Sequence, residues 1–318
     1  MCDMLIPYLI EPYNSWNKGQ KKKHWMEIAE EESLMRRVIQ EQQAVSAQQV
    51  QNAATAAPAA GAGGVPPFSY FDNINTINRI IGSFVSRSLI SDPTQIAAVA
   101  TLVTNAIDHG WWQQCDLIYP FVGGTSVAHA QNLKSENFTI AWSGSVTHDN
   151  NGITGDGASG YGDTGYSQLS GVSLGKFTSH FSLYLRTTGS INVRHFGTNV
   201  GASMFMRNNF LNWIAFWIGV RLETSTGRVP KLGLLLATRT RTGQFLYTPD
   251  QIASDPSANP SDMNNSSLFI LTANDTPLSL FSNANYSSLT VGGEFTSGSY
   301  QIMKSDWQAF QTTLGRQV

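Results

Sequence analysis

From Trp111 onward the chain is a succession of short β-prone segments broken by Gly, Asn, Ser and Pro, and this texture restricts its fold more than any other feature. Ser143 to Thr147, Gly165 to Ser173, Phe177 to Arg186, Ile191 to Phe196, Ala202 to Met206, Trp213 to Leu222, Lys231 to Arg241, Leu268 to Ala273 and Leu289 to Val291 each read as a strand. Several alternate, as in Phe181-Ser182-Leu183-Tyr184-Leu185-Arg186. Many short strands at this spacing predict a β-sandwich or jelly roll over 111–318. Thr248 to Ser267, with two Asp/Asn-Pro steps, predicts a long exposed loop. Near the end, Ser305 or Asp306 predicts the cap of a last short helix, Trp307 to Leu314, closed by Gly315.

The charge pattern divides what precedes the sandwich. Only 13% of the 318 residues are charged, yet residues 1–52 hold 13 of the 42 charged side chains. This arm turns helical from Lys21 to about Asn52, where Trp25, Ile28, Met35, Val38, Ile39 and Val45 share one face. Glu31, Glu32 and Gln42 break any strict heptad, so the stripe suits docking on a larger partner better than an autonomous coiled coil. We therefore expect Trp25, Ile28, Met35, Val38 and Ile39 to anchor the chain. Residues 53–67, AATAAPAAGAGGVPP, lack the apolar bulk to fold and read as a linker. Residues 68–110 predict two amphipathic helices forming a small collar, one behind an Asp72 cap and one with Asp92 as cap and Pro93 at its first position.

A net charge of −2 argues against a general nucleic-acid binder, and no apolar stretch approaches the length of a membrane span. Met1 to Ile10 contains Asp3 and Pro7, with basic residues after it, which is the reverse of a secretory signal. Cys2 and Cys115 form no disulfide framework or metal spacing, and Cys115 has no His near it in sequence. The six histidines make no His-x-x-x-His or His-x-His pair. Beyond residue 52 the only glutamates are Glu136, Glu223 and Glu294, each isolated, whereas glycoside hydrolysis needs paired carboxylates. We therefore expect no enzyme and no catalytic residue.

The densest polar stretch is His148 to Tyr166. Asp149, Asn151 and Asp156 are hard oxygen donors suited to calcium, but hairpin turns require the same residues, and turn chemistry is the main reading. Trp142, Tyr161 and Tyr166 flank this stretch, and with Asp156 and Asp163 they are the candidate ligand-binding residues. An aromatic face packs against a pyranose while neighbouring oxygens take its hydroxyls.

Some strings resemble a known family. Tyr119-Pro120-Phe121-Val122-Gly123-Gly124-Thr125, Ala128-His129, Asn132-Leu133-Lys134, Gly144, Thr147-His148, Gly157, Tyr161-Gly162-Asp163-Thr164 and Phe310 to Arg316 resemble, in order and spacing, the laminin-G/concanavalin-A-like jelly rolls of bacteriophage virion proteins. The resemblance covers about residues 112–318 and implies a mainly β, lectin-like sandwich on a tail fibre, spike or head fibre. It implies a virion location, an oligomer (a trimer by fibre analogy), other phage structural proteins as partners through residues 1–52, and a host-surface glycan as ligand. Two alternatives stay open: a capsid or tail decoration protein without a ligand, and a glycan depolymerase on the same sandwich. No cofactor, nucleic acid or membrane insertion is expected.

Overall fold

The computed structural model describes residues 69–198, 204–209, 212–217, 220–223, 232–250, 252–256 and 263–318. The anchoring candidates Trp25, Ile28, Met35, Val38 and Ile39, like the linker, lie outside the described residues.

Two antiparallel sheets form the body. Sheet A runs β13 (Ile252–Asp255), β12 (Gly243–Tyr247), β11 (Gly233–Thr240), β6 (Ser179–Leu185), β15 (Asn285–Gly292), β4 (Gly152–Gly155) and β3 (Val146–Asp149). β1 (Cys115–Tyr119) pairs with the far half of β15. Sheet B runs β10 (Val220–Glu223), β9 (Asn212–Trp217), β8 (Met204–Asn209), β7 (Arg194–Gly197), β14 (Ser267–Ile270), β5 (Tyr161–Ser167) and β2 (Ala141–Ser143). The expected β-sandwich is present.

Strand alternation sorts side chains between two cores. Phe181, Leu183 and Leu185 of β6 join Leu235, Ala237, Leu289 and Val291, and meet Phe196, Leu268 and Ile270 of sheet B. On the other face of sheet A, Tyr184, Leu234, Leu236 and Ile118 meet a helical layer. That layer comprises α1 (Ser69–Ser88), α2 (Pro93–Asp108) and α4 (Ser297–Thr313). The centre of sheet A is therefore covered on both sides, and every residue of β6 and β15 is buried. A short helical turn, α3 (Ser126–His129), lies between β1 and β2. The helices of 69–108 share their core with sheet A, and residues 68–318 form one compact unit.

The Asp92 carboxylate caps α2 as expected, accepting from the backbone N–H of Thr94 at 2.7 Å and of Gln95 at 3.2 Å. The helix α1 begins at Ser69, three residues before the cap expected at Asp72. The last helix also begins earlier than expected. Thr296 and Ser299 form a reciprocal capping box, and the stripe Tyr300, Met303, Trp307 and Phe310 is buried. Asp306 lies inside this helix at 5% exposure, accepting from Trp111 Nε1 at 2.7 Å and facing His109 Nδ1 at 2.8 Å. The single strand expected over Trp213 to Leu222 is two paired strands, with Trp217 opposite Val220. The interval 248–267 holds β13, paired to β12. The first run lacks a polar break that would signal the division, and the second is polar almost throughout, so β13 does not stand out within it.

One cation fastens the layers. Arg316, 1% exposed, donates to the carbonyls of Phe121 (2.7 Å), Pro120 (2.7 Å), Ser287 (3.1 Å) and Asn150 (3.3 Å), and to Gln311 Oε1 (2.6 Å). Burial lowers its pKa to about 9.

Trp307 is fully enclosed, 6.3 Å from Trp111 and 5.4 Å from Phe310 between ring centroids. Trp307→Ala leaves a cavity between helix and sheet and should cost about 3–5 kcal/mol, measured as a lowered denaturant midpoint.

Candidate functional site

Sheet B keeps its outer face outside the helical layer, and β5 is the strand that carries the glycine-rich signal onto that face. Its burial alternates: Gly162, Thr164 and Tyr166 are buried, while Tyr161 and Asp163 are half-buried and Gly165 is exposed. The register sets Ala141 and Phe269 opposite Asp163, and Ser143 opposite Tyr161. Leu268 and Ile270 enter the inter-sheet core, so Phe269 between them lies on the other face of the sheet with Tyr161, buried at 9% exposure beneath it. The two rings stack 4.9 Å apart at an interplanar angle of 19°. The Asp163 carboxylate accepts from the Gly165 N–H at 2.9 Å and from the Ser267 hydroxyl. The result is an aromatic pair bordered by oxygen donors and acceptors on one sheet face.

Of the five ligand-binding candidates, the structure brings only Tyr161 and Asp163 onto this face. Tyr166 is fully buried and donates its hydroxyl to Asp116 Oδ2 at 2.9 Å, so the expectation of a surface ring is corrected. Five residues separate it from Tyr161, and an odd step along a strand turns a side chain to the other face. Trp142 is also turned inward. Its ring lies against Gly162, where an added Cβ would come within 2.7 Å of it, and its Nε1 donates to the Ser126 carbonyl at 3.0 Å.

Asp156 is a turn residue. It accepts from the backbone N–H groups of Ala158 (2.9 Å), Ser159 (2.8 Å) and Gly160 (2.8 Å) and from the Ser159 hydroxyl (2.6 Å), which together hold it far below the usual carboxylate range. Asp149 likewise accepts from the Asn151 N–H at 2.7 Å. The strand β4 separates Asp149 and Asn151 from Asp156, so these three calcium candidates do not share a site. Among the described residues no group of three or more His, Cys, Asp or Glu is placed to hold a metal.

Glu136 accepts from Ser83 of α1 at 3.1 Å, Glu223 ends β10, and Glu294 follows β15. Phe269 and Ser267, which complete the outer face, went unnoticed in the sequence because Leu268 to Leu271 reads as uniformly apolar.

Cys115 is buried, and the fold brings it a histidine from a distant strand: His180 Nε2 lies 4.0 Å from its sulfur. Both residues are fully buried, and burial pushes the thiol up to about 12, so the pair does not make a reactive thiolate. The imidazole also faces the Gly293 carbonyl through Nδ1 and the Thr290 hydroxyl through Nε2.

No known protein family matches the chain, and no curated protein matches it. Among solved structures it is similar to a mutant of Trypanosoma rangeli sialidase displaying trans-sialidase activity, at 9% identity and a TM-score of 0.41 over 68% of this chain and 39% of that one. It is also similar to domain 4 of a GH43 extracellular arabinanase from Geobacillus stearothermophilus, in complex with arabinotriose, at 11% identity and a TM-score of 0.39 over 60% of this chain and 98% of that domain. A β-1,3-glucanase from Mycobacterium marinum aligns at 12% identity and a TM-score of 0.26, over 56% of this chain and 98% of that one. The chain spans at most about two fifths of the sialidases it matches. With carbohydrate-active enzymes among these similar structures, the expectation that the chain is not an enzyme does not stand.

Burial lowers the pKa of His180 to about 4 and of His195 to about 3. A depressed imidazole pKa means that the unfolded chain binds more protons, so stability is complete above about pH 6.5 and falls as the pH drops toward 4. By pH 5 each site should have cost about 2 kcal/mol. Urea midpoints at pH 7 and pH 5 measure the loss, and His195→Gln should shrink the difference.

Proposed function

We propose that the chain is a phage virion protein whose sandwich engages glycans through the outer face of sheet B while residues 1–52 attach to the particle. The observation that carries the glycan reading is the Tyr161–Phe269 pair, stacked at 4.9 Å and flanked by Asp163 and Ser267 on the same face. The half-buried Tyr161 ring, backed by the buried Phe269, offers an apolar face to the C–H face of a sugar, and the adjoining carboxylate and hydroxyl supply the directional bonds that orient it. A shallow face of this kind gives weak single-site binding, which display in several copies converts into firm attachment. The virion setting rests on the ordered motifs of residues 112–318 and on the charged arm and linker that precede them.

Cleavage of the same glycan is the second reading, favoured by the Asp163 carboxylate beside Tyr161. Catalysis by two carboxylates would need a partner brought from another element.

Two variants separate these readings. Tyr161→Ala should abolish glycan-array binding by the full chain and lower its melting temperature by only about 2–4 °C, the scale of about 1 kcal/mol lost with the ring stacked on Phe269. Asp163→Asn should weaken binding and, if the face is hydrolytic, end the release of reducing sugar from host polysaccharide. An array on which the parent binds nothing would remove the glycan reading.

A further inference from the structure

β3 ends sheet A and β2 ends sheet B, and α3 contacts both of these edge strands. There His129 of α3 and His148 of β3, nineteen residues apart in the chain, meet with their Nδ1 atoms 3.1 Å apart. Each ring is fixed by its surroundings. Phe121 lies edge-on to His129 with centroids 5.9 Å apart, and Trp142 lies edge-on to His148 at 4.8 Å. The α3 turn that carries His129 is capped by Thr125 and tied to β2 through the Trp142 indole and the Ser126 carbonyl. β3 is held by its pairing to β4, with His148 opposite Ile153. His129 is enclosed, whereas His148 is half-buried and reachable from solvent.

We propose that His129 and His148 form a two-imidazole site for a divalent transition ion of the zinc, nickel or copper class, with the remaining coordination positions open to water. Imidazole nitrogens bound to zinc lie about 2.0–2.1 Å from the ion, so two of them on a tetrahedral ion stand roughly 3.3–3.4 Å apart. The pair already sits within a few tenths of an ångström of that edge. Ions of this class favour imidazole, while calcium and magnesium favour oxygen, which fits the absence of a gathered oxygen site on the β3–β4 hairpin.

Burial lowers the proton affinity of both rings, which keeps them available as neutral ligands. The charges facing the pair oppose each other: the Arg316 guanidinium disfavours an ion at His129, and Asp149 beside His148 favours one. Two protein ligands and a nearby arginine make this a site of moderate affinity. The site stands apart from the Tyr161 face, because Trp142 points inward from β2 while Tyr161 points outward from the adjoining strand.

Equilibrium dialysis of the full chain against zinc chloride, with calcium and magnesium chlorides as controls, tests the proposal. One zinc per chain is expected, with a raised melting temperature and no effect of the two hard ions. His148→Ala should lose the ion, and His109→Ala, which removes another partly exposed imidazole, should keep it. Zinc retained by His148→Ala, or none bound by the parent, overturns the proposal. If His148→Ala does not fold, copper(II) bound to the parent gives the answer by electron paramagnetic resonance: coupling to two imidazole nitrogens supports the site, and one or none overturns it.

Discussion

The central strands of sheet A are sealed on both faces, and the remaining architecture follows from that constraint. Its β6, β11 and β15 carry apolar side chains toward sheet B and toward the helices alike, so neither layer can be removed without exposing core. At roughly 25 cal/mol per Å² of apolar surface, a sheet wet on one side forgoes much of what this one gains. The helices of residues 69–108 and 297–313 are accordingly a third layer of the body. With those helices over sheet A, it is sheet B whose outer face stays outside the helical layer.

The strand-rich fold was legible because alternation and turn residues are local signals. Asp92-Pro93 named its helix start, since cap and first position are set by neighbouring atoms. The start of α4 was obscured because Asp306 imitates a cap, whereas its carboxylate is spent on Trp111 and His109 nearly two hundred residues earlier. β1 escaped notice for a similar reason. Cys115 to Tyr119 alternates too little to stand out and is a strand because β15 pairs with it.

The candidate site was half legible. Tyr161 and Asp163 share a face by their even spacing, and the odd step to Tyr166 placed that ring in the core. Partners from distant strands, Phe269 and Ser267 opposite β5, depend on register, which one segment alone does not encode. The histidine pair shows the same limit: His129 and His148 have no motif spacing, and only the crossing of α3 over the sandwich edge brings them together.

The position of β15 in sheet A has a consequence for how the chain is made. This strand lies between β6 on one side and β1 and β4 on the other, and Cys115 finds its partner in Gly292. On the ribosome, everything synthesised before residue 285 must wait with a gap in its central sheet and an incomplete core. Such long-range closure is slow and exposes unpaired strand edges in the interim. The fold is thus completed only once β15 has filled the gap and Arg316 has reached its ring of carbonyls.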